Sequence, residues 1–537
     1  MTSKDIVKSQ ELGITKYQLF CVIAASLSSL NCGWNLAVTN IPGTIITQCL
    51  GTSQNSTSGL PPCIPTTEFM WGIAVGSYAL GALCGALSCT WFSNRYGRRW
   101  VLLYSNGIGI AASLVLALSV NVAMVAVGRV IAGVAQGAAN GTFTTYVVEI
   151  TTSRARSSLA NMTQMAVSTG MLVAFALSLS MLEPPLWRVL FAITGLLCII
   201  SGAAMSMCVE SPRWLAMNGH ADHARDALVR LRRGADVTEE LELMQGPAAN
   251  DAVMDESESK QGPAPEETIR AASVVDLVLG RTADNLYHQV FLAIGLMFFQ
   301  QASGISAIGF FSTTLFGAIS AAKDTANIST PTAPQVLSVV LMGVGTAATL
   351  GGMLLANHWG RRTLMLAAHG AMSIFCVLIS VGSVVPGLSR LAIAGVFLYF
   401  IVFFVGPGPL PWVVPNELTP TYATAALMAI NNSVCYIGIF IVGLGFAPLM
   451  GLAGGYTFLV FAVGNALAFQ PTTILSAVLT AFTAFLLATV ASPDNNSAGL
   501  ALPGPGDTAL GAANKLASPA PLVGPLLGAL GLGSSSK

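Results

Sequence analysis

The stretch "NRYGRRWVLL", residues 94–103, returns as "NHWGRRTLML" at residues 357–366. Each copy sits between two apolar segments of about 20 residues, the length needed to cross a hydrocarbon layer. A glycine for a tight turn and two adjacent arginines therefore join consecutive crossings, twice. Outward from these turns, candidate spans fall at 17–39, 70–92, 100–120, 123–147, 158–181, 187–208, 287–312, 333–356, 363–384, 391–415, 422–446 and 456–491. Six precede a long polar segment and six follow it. The two turns come after the second and the eighth span, so the chain reads as two equivalent halves.

Composition agrees. Of the 537 residues, 53% are hydrophobic and only 9% charged, against about 25% charged in a soluble protein. The expected fold is an all-α, multi-pass protein of the lipid bilayer. Net charge is zero, which gives no electrostatic footprint for nucleic acid. No metal-ligand cluster, phosphate loop or nucleophile arrangement stands out, so no metal, no cofactor and no enzymatic activity are expected. The polar opening "MTSKDIVKSQELGITK" lacks a signal-peptide pattern, and the first span is read as its own insertion signal.

Positive charge sorts by side. One side receives Lys4, Lys8, Lys16, the 94–99 turn, Arg154, Arg156, Arg361, Arg362 and all of 209–286; the other receives Arg188, Lys323 and Arg390, with Arg129 near it. The positive-inside rule puts both termini and the central loop in the cytoplasm. The organisation is then a cytoplasmic N-terminus (1–16), a six-helix bundle (17–208), a cytoplasmic loop (209–286), a second six-helix bundle (287–491) and a low-complexity tail (492–537). Within the loop, "ESPRWLAMNGHADHARDALVRLRRG" has the spacing of short amphipathic helices, and 245–267 reads as an acidic, Pro-rich linker. The region 456–491 is long for one span and is interrupted at Gln470-Pro471, so one kinked helix or two shorter ones both fit.

Eight of ten cysteines fall within candidate spans. The other two, Cys49 and Cys63, share the first outer loop with the sequon at Asn55. Asn55 is the expected glycosylation site, and either a disulfide in an oxidising exterior or two unpaired thiols fit the cysteines. Arg95, Arg98 and Arg99 gather at helix ends, where helix C-termini favour cations. Glu149, Glu210 and Glu417 fall on the same side. These charges read either as a latch between the halves or as simple topogenic charge. In "LMFFQQASGISAIGFFS" (296–312), Gln300 and Gln301 stand side by side in an oily segment, where an unpaired amide costs roughly 2–7 kcal/mol. They read either as helix bridges or as groups facing a wet cavity.

The chain resembles the sugar porter branch of the major facilitator superfamily, and within it the facilitative glucose transporters. The resemblance rests on motifs in order: "GWN…N.P" at 33–42, "NRYGRR" at 94–99, "GR…G" from 128, "YVVE" at 146–149 with Arg156, "ESPRWL" at 210–215, "QQASGI" at 300–305, "GRRTL" at 360–364 and "GPGPLPW" at 406–412. It covers about residues 17–460 and implies the major facilitator fold, two six-helix bundles around a central cavity. It further implies that Gln164, Gln300, Gln301 and Trp412 contact a hexose, with Ser306 beside them. Arg95, Arg98, Arg99, Glu149, Arg156, Glu210, Arg213, Arg361, Arg362 and Glu417 would form the inner latch, and Pro407, Gly408, Pro409 and Pro411 a hinge. An amide that donates and accepts suits sugar hydroxyls, and an indole face suits the apolar side of a sugar ring. Asn31, Asn35, Gln136 and Asn140 either line the lumen or pack.

The chain also departs from the family pattern. Ser306 replaces a sugar-binding Asn, Phe310 and Phe311 replace two tyrosines, Gly345 replaces an Asn, and Phe404 replaces a Glu. The Arg after the second-half Glu and the "PETKG" motif are missing. Altered or weak binding and an incomplete second-half latch follow. The expected function is facilitative, uncoupled transport of a neutral hexose such as glucose across the plasma membrane by alternating access. A proton-coupled sugar or polyol porter and a non-transporting sugar sensor are the alternatives. The uncoupled reading rests on Asn35, which stands where proton-linked porters carry Asp, and on reading no Asp, Glu or His deep in any span.

Overall fold

Where lipid replaces water around a helix, its apolar residues need not keep to one stripe, and the long helices of this protein carry them on most sides. The computed structural model describes residues 14–48, 60–152, 162–183, 185–233, 237–245, 274, 277, 286–321, 333–355, 359–419 and 421–469. The chain forms one compact unit over Met1–Thr472; a second, Thr473–Lys537, lies outside the described residues. So do Cys49, Asn55, Arg156 and the 246–267 part of the linker.

The first half runs α1 (Lys16–Ala37), the short α2 (Gly43–Gln48), α3 (Glu68–Tyr96), α4 (Arg98–Ala117), α5 (Val122–Ile150), α6 (Met162–Ser180) and α7 (Trp187–Ser206). Thr15 starts α1 in a capping box with Gln18, and the Asn121 side chain caps α5. Three short helices follow: α8 (Pro212–Met217), α9 (Ala221–Leu231) and α10 (Thr238–Gln245). Along α9, Ala224, Ala227, Leu228 and Leu231 form one buried stripe, the amphipathic pattern expected there. Arg232 pairs with Glu240 at 2.8 Å and donates to Ile150 O, which ties these helices to the end of α5.

The second half runs α11 (Tyr287–Ala302), α12 (Ile305–Ala321), α13 (Ala333–Leu355), α14 (Arg361–Val384), α15 (Ser389–Val405), α16 (Leu410–Leu418), α17 (Thr421–Ala453) and α18 (Thr457–Ala468). Eleven described segments are long and apolar enough to cross a membrane. The last, Ala426–Ala468, has 43 residues, about 65 Å of helix at 1.5 Å per residue and so roughly two crossings. A 3₁₀ turn at Gly454–Tyr456, with Gly454 at φ 53°, divides it into α17 and α18. Of the expected span 456–491, α18 is described and 470–491 lies outside the described residues.

Two crossings of the second half are broken. Between α11 and α12, Gly304 takes φ 89°, and a Cβ there would strike the Phe461 ring. Between α15 and α16 lies "GPGP", whose prolines lack an N–H to continue the ladder. Elsewhere backbones approach closely, since apolar lipid gives no hydrophobic drive between helices and small residues permit contact instead. A Cβ at Gly133 or Gly137 of α5 would run into the backbone of α3. The halves meet where α3 packs on α17 and α6 on α13.

Candidate functional site

The two breaks lie beside one cavity between the halves. It is lined from α1 (Cys32, Leu36), α5 (Asn140), α6, both breaks and α17. Gln164, Gln300, Gln301, Ser306 and Trp412 all line it. Its volume is about 130 Å³ on a scale where one water needs about 10–15 Å³, so it holds on the order of ten non-hydrogen atoms.

Backbone freed by one break binds side chains from the other. Gln300 Nε2 donates to Pro407 O at 2.7 Å and Gly408 O at 3.0 Å, carbonyls left open between α15 and α16. Gln301 Nε2 donates to Gln300 Oε1 at 3.2 Å, and Ser306 Oγ donates to Gln301 Oε1 at 2.7 Å. A hydrogen-bonded chain thus runs from Ser306 across both glutamines to the second break. Each amide oxygen keeps a lone pair for a hydroxyl. Gln164, half-buried on α6, takes no part in this chain.

The remaining wall is aromatic. Phe310, Phe400, Phe403 and Phe404 line the cavity with Trp412 and Tyr436. Gly345 of α13 belongs to this arrangement, because a Cβ there would press on the Phe400 and Phe404 rings. The absent side chain at 345 and the large one at 404 therefore fit each other. Asn140 faces the cavity and bonds Tyr436. Asn31 donates instead to Cys198 Sγ and Asn35 to Asn31, so both pack within the first half. Gln136 is buried outside the lining.

On the face opposite the 94–99 turn, Asn40 closes the halves together. Its Nδ2 donates to Gly309 O at 2.7 Å and Ser312 Oγ at 3.2 Å, and its Oδ1 accepts from Thr313 Oγ1 at 2.7 Å. The sequence shows Asn40 only as the second asparagine of "GWN…N.P", a lone amide at a span end with no role assigned to it.

At the 94–99 turn, Arg98 meets Glu149 with both ends of its guanidinium, Nε at 2.9 Å from Oε2 and Nη2 donating to Oε1 at 3.0 Å. Ser211 Oγ donates to the same carboxylate at 2.6 Å. Glu210 Oε1 accepts from the backbone N–H of Arg98, Arg99 and Ser211 at 2.8–2.9 Å. Burial pushes the Glu210 carboxyl above its ordinary range, against these three donors and Arg98, which favour the charged form. Gly97, at φ 96°, leaves room for it, since a Cβ there would collide with Glu210. Arg99 donates to Met205 O and Ser206 O at the end of α7. Arg95 is exposed, and Arg213 has no hydrogen bond or ion pair among the described residues. In the second half Arg362 is exposed and Arg361 half-buried; Glu417 sits on α16 with its side chain outside the description. The Arg98–Glu149 and Arg232–Glu240 ion pairs lie in the first half and the helices after it.

Two further placements differ from the sequence reading. His369 lies two turns into α14, 2% exposed, so the spans do hold a titratable group at depth. It is a single imidazole within an apolar run. Arg129 is fully buried inside α5, donating to Asn35 O and Val75 O with Tyr78 under its guanidinium. Cys63 is disulfide-bonded, whereas the eight cysteines of the spans are free.

The Sugar (and other) transporter family matches residues 20–485. The chain belongs to this sugar transporter family. It is 29% identical over 466 residues to human facilitated glucose transporter member 14, covering 85% of this chain and 84% of that one. To rabbit facilitated glucose transporter member 3 it is 30% identical, covering 84% and 87%. Among solved structures, the xylose transporter XylE from E. coli in a partially occluded inward open conformation superposes with a TM-score of 0.64 at 19% identity, over 84% of this chain and 98% of that one. The major facilitator fold follows. As a sugar transporter family member the protein is a multi-pass membrane transporter and not an enzyme.

Proposed function

We propose that the protein moves a neutral hexose such as glucose across the plasma membrane by alternating access, without coupling to an ion. The observation that carries this reading is the meeting of Gln164, Gln300, Gln301, Ser306 and Trp412 around one cavity at two helix breaks. Broken helices at a site between repeats are how many transporters bind at mid-membrane. The amide chain supports hydroxyl recognition, and the phenylalanine wall favours a ring with one apolar face over a fully polar one. Among the described residues no Asp or Glu lines the cavity, which supports uniport over proton symport. With Asn40 bonding across the halves on one face, the state is read as closed to the outside. The face with the 94–99 turn is then cytoplasmic, Arg98, Glu149 and Glu210 belong to its latch, and 406–411 is the hinge. Asn55 is the glycan acceptor outside, so glycosidase sensitivity is expected to vanish in Asn55→Gln.

The deciding experiment is uptake of labelled glucose into cells lacking their own hexose transporters, with and without a protonophore. Flux that equilibrates and ignores the protonophore fits. Accumulation that collapses with the protonophore would establish symport, and saturable binding without flux would make the protein a sensor.

A further inference from the structure

His369 on α14 is buried with its Nδ1 3.0 Å from Asn465 Oδ1 on α18. Asn465 Nδ2 donates to Phe461 O at 2.8 Å and, more weakly, to Ser303 O at 3.4 Å. Those bonds use the amide hydrogens, so Asn465 Oδ1 can only accept. The network therefore assigns the proton to His369 Nδ1, and Nε2 is a bare lone pair, buried without a hydrogen-bond partner. Ser303 is the next link. Its Oγ donates to Gln300 O at 2.6 Å, and its carbonyl also accepts from Tyr399 OH at 2.8 Å. Ser303 immediately precedes Gly304, where the helix breaks. None of His369, Asn465, Ser303 or Tyr399 lines the cavity, yet together they grip the break that presents Gln300, Gln301 and Ser306 to it.

Building on the transport reading above, we propose that neutral His369, through Asn465 and Ser303, is a positioning residue for the Ser303–Gly304 break, and that protonating it loosens the break and weakens substrate binding. A second N–H on the ring would find no acceptor, and the added charge would be buried unpaired, which is costly. Nothing packed around it supplies a counter-charge among the described side chains. α18 has no ionisable residue; α15 offers Tyr399, already bonded to Ser303, and Arg390 near its far end; the 3₁₀ turn offers Tyr456. Its own helix adds Arg361, Arg362 and Cys376, and α16 carries Glu417, whose side chain lies outside the description. A protonated ring therefore favours arrangements other than this one, where Nε2 gains water or an acceptor. A proton, like any ligand, shifts a conformational balance only by such differential affinity.

The test compares native protein with His369→Asn and His369→Leu at about pH 5.5 and about pH 7.5, either side of the ordinary histidine value of about 6.5. Asparagine puts an amide N–H at the Nδ1 position and cannot titrate; leucine removes the donor. The first readout needs no substrate: hydrogen exchange of residues 300–308 in purified protein, corrected for intrinsic rates. Native protein should open this segment roughly three- to tenfold more readily in acid. His369→Asn should match native protein at the higher pH and lose the acid response, while His369→Leu should be open at both. The second readout is the KM for labelled glucose per surface copy, expected to rise by a similar factor in acid for native protein only. Equal acid responses in native protein and His369→Asn, or a segment as protected in His369→Leu as in native protein, would overturn the proposal. Absence of glucose flux alongside an intact exchange response would count against the transport reading alone.

Discussion

The two halves carry the same arginine turn and use it differently. In the first half Arg98 is buried against Glu149, and Glu210 gathers three backbone N–H groups across the turn. In the second-half copy Arg361 stands where Arg98 does and is half-buried, and Arg362, at the place of Arg99, is exposed. The described crossings of the first half run without a break, while two in the second half are interrupted beside the cavity. Charge pairs thus brace helices that keep their shape, and freed backbone carbonyls appear where a helix breaks beside the cavity and bind Gln300. The first half is a frame; the second is the articulated part.

Removing one partner of a buried pair strands the other charge and costs about 3–5 kcal/mol. Arg98→Ala should therefore lower stability by that amount, read as thermal unfolding of the detergent-purified protein and as surface level. Arg362→Ala, at the exposed second arginine of the other turn, should stay within about 0.5 kcal/mol. Equal losses in the two variants would erase the distinction between frame and articulated half.

Gly345 probes the articulated half next. A methyl group there must displace the Phe400 or Phe404 ring, and overpacking costs about 1–3 kcal/mol. Gly343, two residues earlier, has only Leu172 at an ordinary 3.8 Å from the same kind of added Cβ, so Gly343→Ala should be near neutral. Trimming Phe400, the ring the added Cβ meets at 2.6 Å, to Leu should relieve much of the Gly345→Ala loss. If it does not, the glycine and the ring are not paired.

Much of this was legible beforehand because lipid imposes a simple rule: length and apolarity mark a crossing. Spans from α1 to α17 fall within a few residues of their expected limits at most ends. The exceptions are the breaks, where a continuous apolar run at 287–312 hid a left-handed glycine, and α12 and α17, which run past the expected 312 and 446. The five cavity residues were legible through the family resemblance. What binds them was not, since the Gln300 partners are carbonyls, and backbone has no sequence signature. Asn40 and His369 escaped for a related reason: each is a single polar residue whose meaning depends on a partner about 100 residues or more away.

Smaller effects are expected at the glutamines. Gln301→Leu removes an amide facing the cavity, and one neutral hydrogen bond is worth roughly 0.5–1.5 kcal/mol, about three- to tenfold in glucose affinity. Gln300→Leu should lose similar affinity and also some stability, because it frees the Pro407 and Gly408 carbonyls that its amide now occupies. Equilibrium binding and thermal unfolding separate the two variants. Unchanged affinity in both would return the pair to a purely structural role.

The smallest effect should come from Ser306→Asn. Ser306 Oγ spends its one hydrogen on Gln301 Oε1 at 2.7 Å, leaving lone pairs on a short side chain. An asparagine amide can keep a donor on Gln301 while its oxygen reaches further into the cavity to accept from a sugar hydroxyl. The gain is one neutral hydrogen bond, reduced by ordering a longer side chain, so glucose binding should tighten by only about threefold. Measured KM at unchanged surface level is the check. A fall in uptake instead would mean that the amide intrudes on space the native substrate fills, and that the short hydroxyl is part of the fit to a different polyol.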